Sequence, residues 1–170
     1  MKSLEELIAI KEKVKNTVAL ENGTDEMRVV VGLATCGIAA GARPVLRALV
    51  DGVKEAGLSD RVSVKQSGCI GICQYEPIVE VHQPGKEKVT YVKMTPEKAL
   101  EVIEKHLKGG KPIYEYTIGK AVDPDVVIEE GSHVKTLAET DLFKKQLRVA
   151  LRNCGVIDPE NIEDYIAVDG

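Results

Sequence analysis

Three cysteines stand where backbone and neighbours suit them to an inorganic centre. Gly68-Cys69-Ile70-Gly71-Ile72-Cys73 carries two thiols, separated by three residues, in a glycine-rich loop. Small residues there let the backbone wrap closely around metal and sulfide, and let amide N–H groups point at sulfur. Cys36 lies 33 positions before Cys69. It follows a β-branched run and precedes a helix start, where thiolate charge is stabilised. Two loops at one end of a sheet would bring these thiols together. The competing reading is that small, buried cysteines merely fill tight loops. A dithiol oxidoreductase prefers two cysteines separated by two residues at a helix start. A structural zinc site built from Cys36, Cys69, Cys73 and a histidine lacks short paired spacing on both sides. Gly109-Gly110 before Lys111 is a helix stop rather than a phosphate loop, and no nucleophile-elbow or metalloprotease motif occurs.

Those loops need elements to position them. Ser3 followed by Glu6 is a capping box, and Leu4, Leu7, Ile8, Val14 and Val18 follow at helical spacing, which predicts an N-terminal helical arm over residues 1–24. Arg28-Val29-Val30-Val31-Gly32 reads as a strand buried on both faces. Pro44 must sit in a first helical turn, so a helix starts near Ala42, buries Val45, Leu46, Leu49, Val50 and Val53, and stops at Gly57. Val62 and Val64 alternate with Ser63 and Lys65 in a strand ending at Ser67-Gly68. Residues 78–82 and 88–92 form a hairpin around Gln83-Pro84-Gly85-Lys86, with Pro and Gly where a type II turn needs them. Thr95-Pro96 caps a helix burying Ala99, Leu100, Ile103 and Leu107, while Lys105, His106 and Lys108 complement its C-terminal dipole. The first two strands are joined by a helical crossover and should lie parallel. The fold class is therefore α/β, a mixed sheet flanked by helices.

Residues 25–110 form the expected domain. Residues 111–140 lose hydrophobic periodicity and contain Gly119, Asp123-Pro124-Asp125 and Gly131-Ser132, which predicts a linker. Leu142, Phe143, Leu147, Ala150 and Leu151 predict a helix to Asn153, and Asp158-Pro159 a second start with Ile162, Tyr165 and Ile166 on one side. This short helical tail, residues 141–170, has few apolar residues and is expected to dock on a partner or on a continuation of the chain. Lys and Arg number 16 against 15 Asp and Glu through Gly110, leaving 7 against 12 beyond it. The acidity is C-terminal.

Several of these segments together resemble a known family. Thr35-Cys36-Gly37-Ile38-Ala39-Ala40-Gly41-Ala42-Arg43, Gly68-Cys69-Ile70-Gly71-Ile72-Cys73, Glu76-Pro77-Ile78-Val79, Val89-Thr90-Tyr91 and Thr95-Pro96-Glu97-Lys98-Ala99 resemble the thioredoxin-like [2Fe-2S] ferredoxin domain of NAD(P)-reducing hydrogenases and complex I-type NADH dehydrogenases. A second stretch, Phe143-Lys144-Lys145-Gln146-Leu147-Arg148 with Leu151-Arg152-Asn153-Cys154-Gly155 and the residues to Ile166, resembles the opening of the flavin-bearing, NADH-oxidising subunit of the same complexes. The resemblance implies a thioredoxin-like sheet and other subunits of an NAD(P)-linked oxidoreductase complex as partners. It also implies a [2Fe-2S] cluster on Cys36, Cys69 and Cys73. The chain would be an electron-transfer module, not catalytic alone, and would carry no flavin or NAD site.

The family pattern has two cysteines in the first loop, and this chain has one. Counting places the missing ligand at Val31, or at Gly32 when Gly41-Ala42 is used to align. A [2Fe-2S] centre takes four protein ligands, so a fourth is unassigned. Cys154 could serve only if the tail folded back onto the cluster loops. His82 reads as a surface histidine of the hairpin. A redox-silent docking module that has lost its cluster is the alternative function.

Composition narrows the field further. At 44% hydrophobic and 29% charged the 170-residue chain is an ordinary globular sequence. A net charge of -4, no Trp and one Phe argue against nucleic acid as a partner. No apolar run approaches the roughly 18 residues of a membrane span. The N-terminus lacks a secretory signal. A cytoplasmic, reducing location is expected, where four cysteines favour metal or redox chemistry over structural disulfides.

Overall fold

The structure, a computed structural model, describes residues 3–18, 27–126, 135–158 and 160–169, without the side chains of residues 14–18. The expectations for Val14, Val18, Gly131-Ser132 and Pro159 lie outside the described residues. In chain order the elements are α1 (Leu4–Val18), β1 (Met27–Gly32), α2 (Thr35–Ala40), α3 (Ala42–Glu55), β2 (Val62–Ser67), β3 (Val79–His82), β4 (Val89–Tyr91), α4 (Pro96–Val102), α5 (Ile118–Val122), α6 (Asp141–Lys144) and α7 (Ile162–Ala167). α4 continues through wider π-type turns over Ile103–Lys108.

Local chemistry explains most boundaries. The Ser3 hydroxyl accepts from Glu6 N–H at 3.2 Å while Glu6 Oε2 accepts from Ser3 N–H at 2.7 Å, so the capping box forms. Gly41, at φ +99°, ends α2 and opens α3, a left-handed step that suits glycine. Thr95 Oγ1 accepts from Lys98 N–H at 3.3 Å and Pro96 fills the first turn of α4.

The sheet order is β2-β1-β3-β4. β1 runs parallel to β2 and antiparallel to β3, which pairs antiparallel with β4. This is the mixed sheet expected from the crossover and hairpin. Successive residues of β1 point to opposite faces. Val29 and Val31 enter the main core with Val79, Val81, Tyr91, Val45 and Leu49, beneath α3 and α4. Arg28, Val30 and Gly32 face the other way. Val50 and Leu100, expected inside, are each 47% exposed, because the helix faces that meet are narrower than the apolar pattern suggests.

That other face is covered from far along the chain. Val92 N–H donates to Tyr116 O at 2.9 Å, and Ile118 and Leu137 pack with Ile70, Ile72 and Ile78 in a second core. Gly155 N–H donates to Ser67 Oγ at 2.9 Å, Arg28 Nη2 to Val156 O at 3.3 Å and Gln66 Nε2 to Glu160 Oε2 at 2.6 Å. α7 lies against α1, where Ile10, Ile157 and Val168 surround Ala167 and Lys11 pairs with Asp169. The arm and the tail thus hold each other.

The tail departs from its expected helices in detail. α6 spans only Asp141–Lys144 and turns follow, with Leu147 90% exposed. α7 starts at Ile162 rather than after Asp158, capped by Asn161, whose Oδ1 accepts from Glu163 N–H at 3.0 Å.

Docking of the tail depends on Gly155, which adopts φ +81° and whose Cβ, if present, would lie 2.9 Å from Ile70 Cγ2. Gly155→Val is expected to cost about 1–3 kcal/mol through backbone strain and crowding. Amide exchange over residues 154–169 should accelerate in this variant while α3 stays protected. Unchanged protection of the tail would refute the account.

Candidate metal centre

The cysteine loops meet at the C-terminal end of β1. β1 ends at Gly32, and Leu33 and Ala34 lead into α2, where Cys36 is the second residue. β2 ends at Ser67, and the chain turns through Gly68 into Cys69. Gly71 takes φ +97° and its N–H reaches Cys69 Sγ at 3.3 Å. Cys73 opens a short 3-10 turn, Cys73–Tyr75. The sulfurs of Cys36, Cys69 and Cys73 all lie within 4.8 Å of one another. Those of Cys69 and Cys73 are 3.4 Å apart. All four cysteines are free thiols, so the trio is a convergent set of soft donors.

Close approach of backbones makes this convergence. A Cβ on Gly37 would stand 2.4 Å from Gly32 O, so the start of α2 sits directly on the end of β1. Burial pushes the Cys36 thiol up from its ordinary value, and the neighbouring Cys69 adds to the shift. The thiolate stabilisation expected from a helix start is outweighed by desolvation.

Sequence reasoning passed over one residue of the centre. Glu76 is 8% exposed. Its Oε2 accepts from Ile78 N–H at 2.9 Å, and its Oε1 accepts from the Cys36 thiol at 3.8 Å. Burial pushes its carboxyl up, against the pull of the Ile78 and Cys36 hydrogen bonds. The signal that could have found it is a carboxylate placed between the cysteine loop and a buried strand. Gly32 faces this carboxylate whereas Val31 enters the main core, so of the two counted positions only Gly32 looks onto the site.

The other proposed donors lie apart. His82 pairs with Arg28, four positions or about 13 Å along β1 from Gly32. It is half-buried, with Nε2 lacking a partner and its pKa brought down to about 3 by burial and by Lys88 and Arg28. His106 is 1% exposed and joined through Nδ1 to Tyr91 Oη at 2.8 Å. Burial lowers its pKa to about 4, so it is a neutral core side chain, not a charge on the helix dipole. The tail does fold back: Cys154 Sγ lies 4.0 Å from where a Gly68 Cβ would stand. It nonetheless falls outside the thiol group, packed with Ile70 and Ile72.

No family model matches the chain, but individual proteins do. It is 34% identical over 113 residues to the NADP-reducing hydrogenase subunit HndB of Solidesulfovibrio fructosivorans, covering 66% of this chain and 87% of that one. It is 33% identical over 85 residues to a 2Fe-2S ferredoxin of Aquifex aeolicus (strain VF5), covering 49% of this chain and 74% of the ferredoxin. A crystal structure of a thioredoxin-like [2Fe-2S] ferredoxin from that species superposes with a TM-score of 0.50 at 26% identity, over 56% of this chain and 98% of the other. At the C-terminal end, 34 residues are 65% identical to subunit HndC of the Solidesulfovibrio hydrogenase, of which they span 7%. With two thirds of its length matched to HndB, and 74% of the Aquifex ferredoxin covered at 33% identity, this chain belongs to the thioredoxin-like [2Fe-2S] ferredoxin family.

Proposed function

We propose that the chain is a one-electron transfer module of a cytoplasmic NADP-reducing hydrogenase-type complex, holding a [2Fe-2S] cluster on Cys36, Cys69 and Cys73. The observation that carries this reading is the convergence of three thiols from two loops within 4.8 Å on a ferredoxin fold. The donor set fits such a cluster in its softness, and three of the four ligands are thiols. When bound, the cluster supplies the redox chemistry. The protein's own part is to hold the sulfurs, to direct the Gly71 N–H at Cys69 and to exclude water with buried Ile70 and Ile72. Other subunits of the complex are the partners, as the names of the HndB and HndC relatives suggest. Four free cysteines suit a reducing compartment, and no described helix is long and apolar enough to cross a membrane. Residues 25–110 form the electron-carrying domain, 111–140 connect it, and 141–170 correspond to the start of the flavin-bearing subunit.

Because the first loop holds a single thiol, the second reading is a docking module that carries no cluster. Protein purified and reconstituted without oxygen separates the two. The electron-transfer reading expects iron and sulfide in equal amounts, visible absorption and a paramagnetic signal on reduction. Iron-free protein after reconstitution would sink it in favour of docking.

A further inference from the structure

The unassigned fourth ligand has a structural solution. We propose that Glu76 completes the ligand set: its carboxylate and Cys36 hold one iron, and Cys69 and Cys73 hold the other. The proposal rests on the cluster-bearing reading above.

Position is the first ground. A Cβ built on Gly32 stands 3.3 Å from Glu76 Oε1 and 3.4 Å from Oε2. The carboxylate therefore occupies the space that a thiol at position 32 would enter. It approaches from β3's leading edge instead of from the end of β1.

Pair spacing is the second. Two donors on one tetrahedral metal, at about 2.0–2.3 Å each, stand about 3.3–3.8 Å apart. Glu76 Oε1 lies 3.8 Å from Cys36 Sγ, and Cys69 Sγ lies 3.4 Å from Cys73 Sγ. Glu76 and Cys36 thus form one close pair and Cys69 and Cys73 another, one for each iron of a [2Fe-2S] centre, with Glu76 outside the 4.8 Å group of the three thiols.

Donor availability is the third. Oε2 is held by the Ile78 N–H at 2.9 Å, which fixes the carboxylate's orientation, whereas among the described residues Oε1 has one hydrogen-bond partner, the Cys36 thiol at long sulfur distance. A buried carboxylate oxygen so weakly satisfied is suited to a metal. A carboxylate also keeps the ligand charge of a thiolate, so the set carries four negative charges, as four cysteines would. Cys154 and His82 offer neither the position nor the pairing.

The test uses the full chain reconstituted anaerobically with 57Fe and sulfide. Mössbauer spectra of the oxidised protein should resolve two inequivalent ferric sites in equal amounts, one with an oxygen donor. Glu76→Gln retains an amide oxygen for the Ile78 N–H and is expected to fold. Its iron retained after desalting should fall about tenfold or more. Gly32→Cys combined with Glu76→Ala, which vacates the space beside position 32, should restore iron and make the two sites nearly equivalent. Wild-type spectra with two all-thiolate sites would overturn the proposal without recourse to any variant. So would Glu76→Gln with unchanged iron and spectra, or loss of the cluster in Cys154→Ala. Absence of iron from the wild type is a different failure, because it removes the cluster-bearing reading itself.

Discussion

Between pH 6.5 and pH 4 the fold should lose about 3 kcal/mol through His106 alone. The ring is 1% exposed with its pKa lowered to about 4, whereas an unfolded histidine titrates near 6.5. Above that value both states are neutral and nothing is lost. Below it the unfolded chain takes up a proton that the folded chain refuses, at about 1.4 kcal/mol per pH unit, until the folded ring titrates as well. The Tyr91 hydroxyl accepts from Ile113 N–H at 3.2 Å and is hydrogen-bonded to His106 Nδ1 at 2.8 Å, which holds the ring in the core. His82, lowered to about 3, acts in the same direction. Glu76, whose carboxyl is raised, binds a proton more readily when folded and offsets part of the loss. Urea midpoints at a series of pH values should show the decline. His106→Gln, destabilised at neutral pH by about 1–3 kcal/mol, should flatten it. Parallel pH profiles for the two proteins would contradict the assignment.

Gly37→Val should damage stability and site together. The added side chain begins 2.4 Å from Gly32 O, with Glu76 Oε2 at 3.3 Å. Neither the end of a central strand nor a buried carboxylate can yield cheaply, so about 1–3 kcal/mol is expected from overpacking. The strain acts between β1 and α2, which positions Cys36, and iron retention should therefore fall by more than the stability loss explains. A core mutation of similar cost far from the loops, such as Val53→Ala, serves as the comparison. Equal iron retention in both variants would show that Gly37 is only a packing position.

What could be read from sequence was what short stretches determine by themselves. The β-branched run of β1, Pro44, Pro84-Gly85 and Thr95-Pro96 act through local sterics and hydrogen bonds, and each produced the element expected. The meeting of Cys36, Cys69 and Cys73 was also legible, because strands joined by a crossover place the loops that follow them at one sheet end. Glu76 was not, since a glutamate before a proline reads as a polar turn residue until the third dimension brings Gly32 and Cys36 to it. His106 sits among lysines in the last turn of its helix. Only the distant Tyr91 turns it inward. The docking of Gly155 and Val156 on the sheet's second face was equally hidden, because its hydrogen bonds join positions whose partners are 88 and 128 residues away.

The clasp between α1 and α7 has a consequence for the order of events when the chain folds. Its partners lie at opposite ends of the sequence; Lys11 and Asp169 are separated by 158 positions. The entropy of closing so long a loop must be met before the contact returns anything, whereas the sheet and its α3–α4 cover assemble from nearer segments. The helix pair is small and partly solvated, with Leu4 73% and Ile162 68% exposed. It should be the last contact to form and the first to open, exchanging its amides by local opening well below the free energy of global unfolding. In that opened state Ala167 and Ile10 meet solvent, while Ile118 and Leu137 still cover the sheet's second face and the three thiols remain assembled on strands that have not moved.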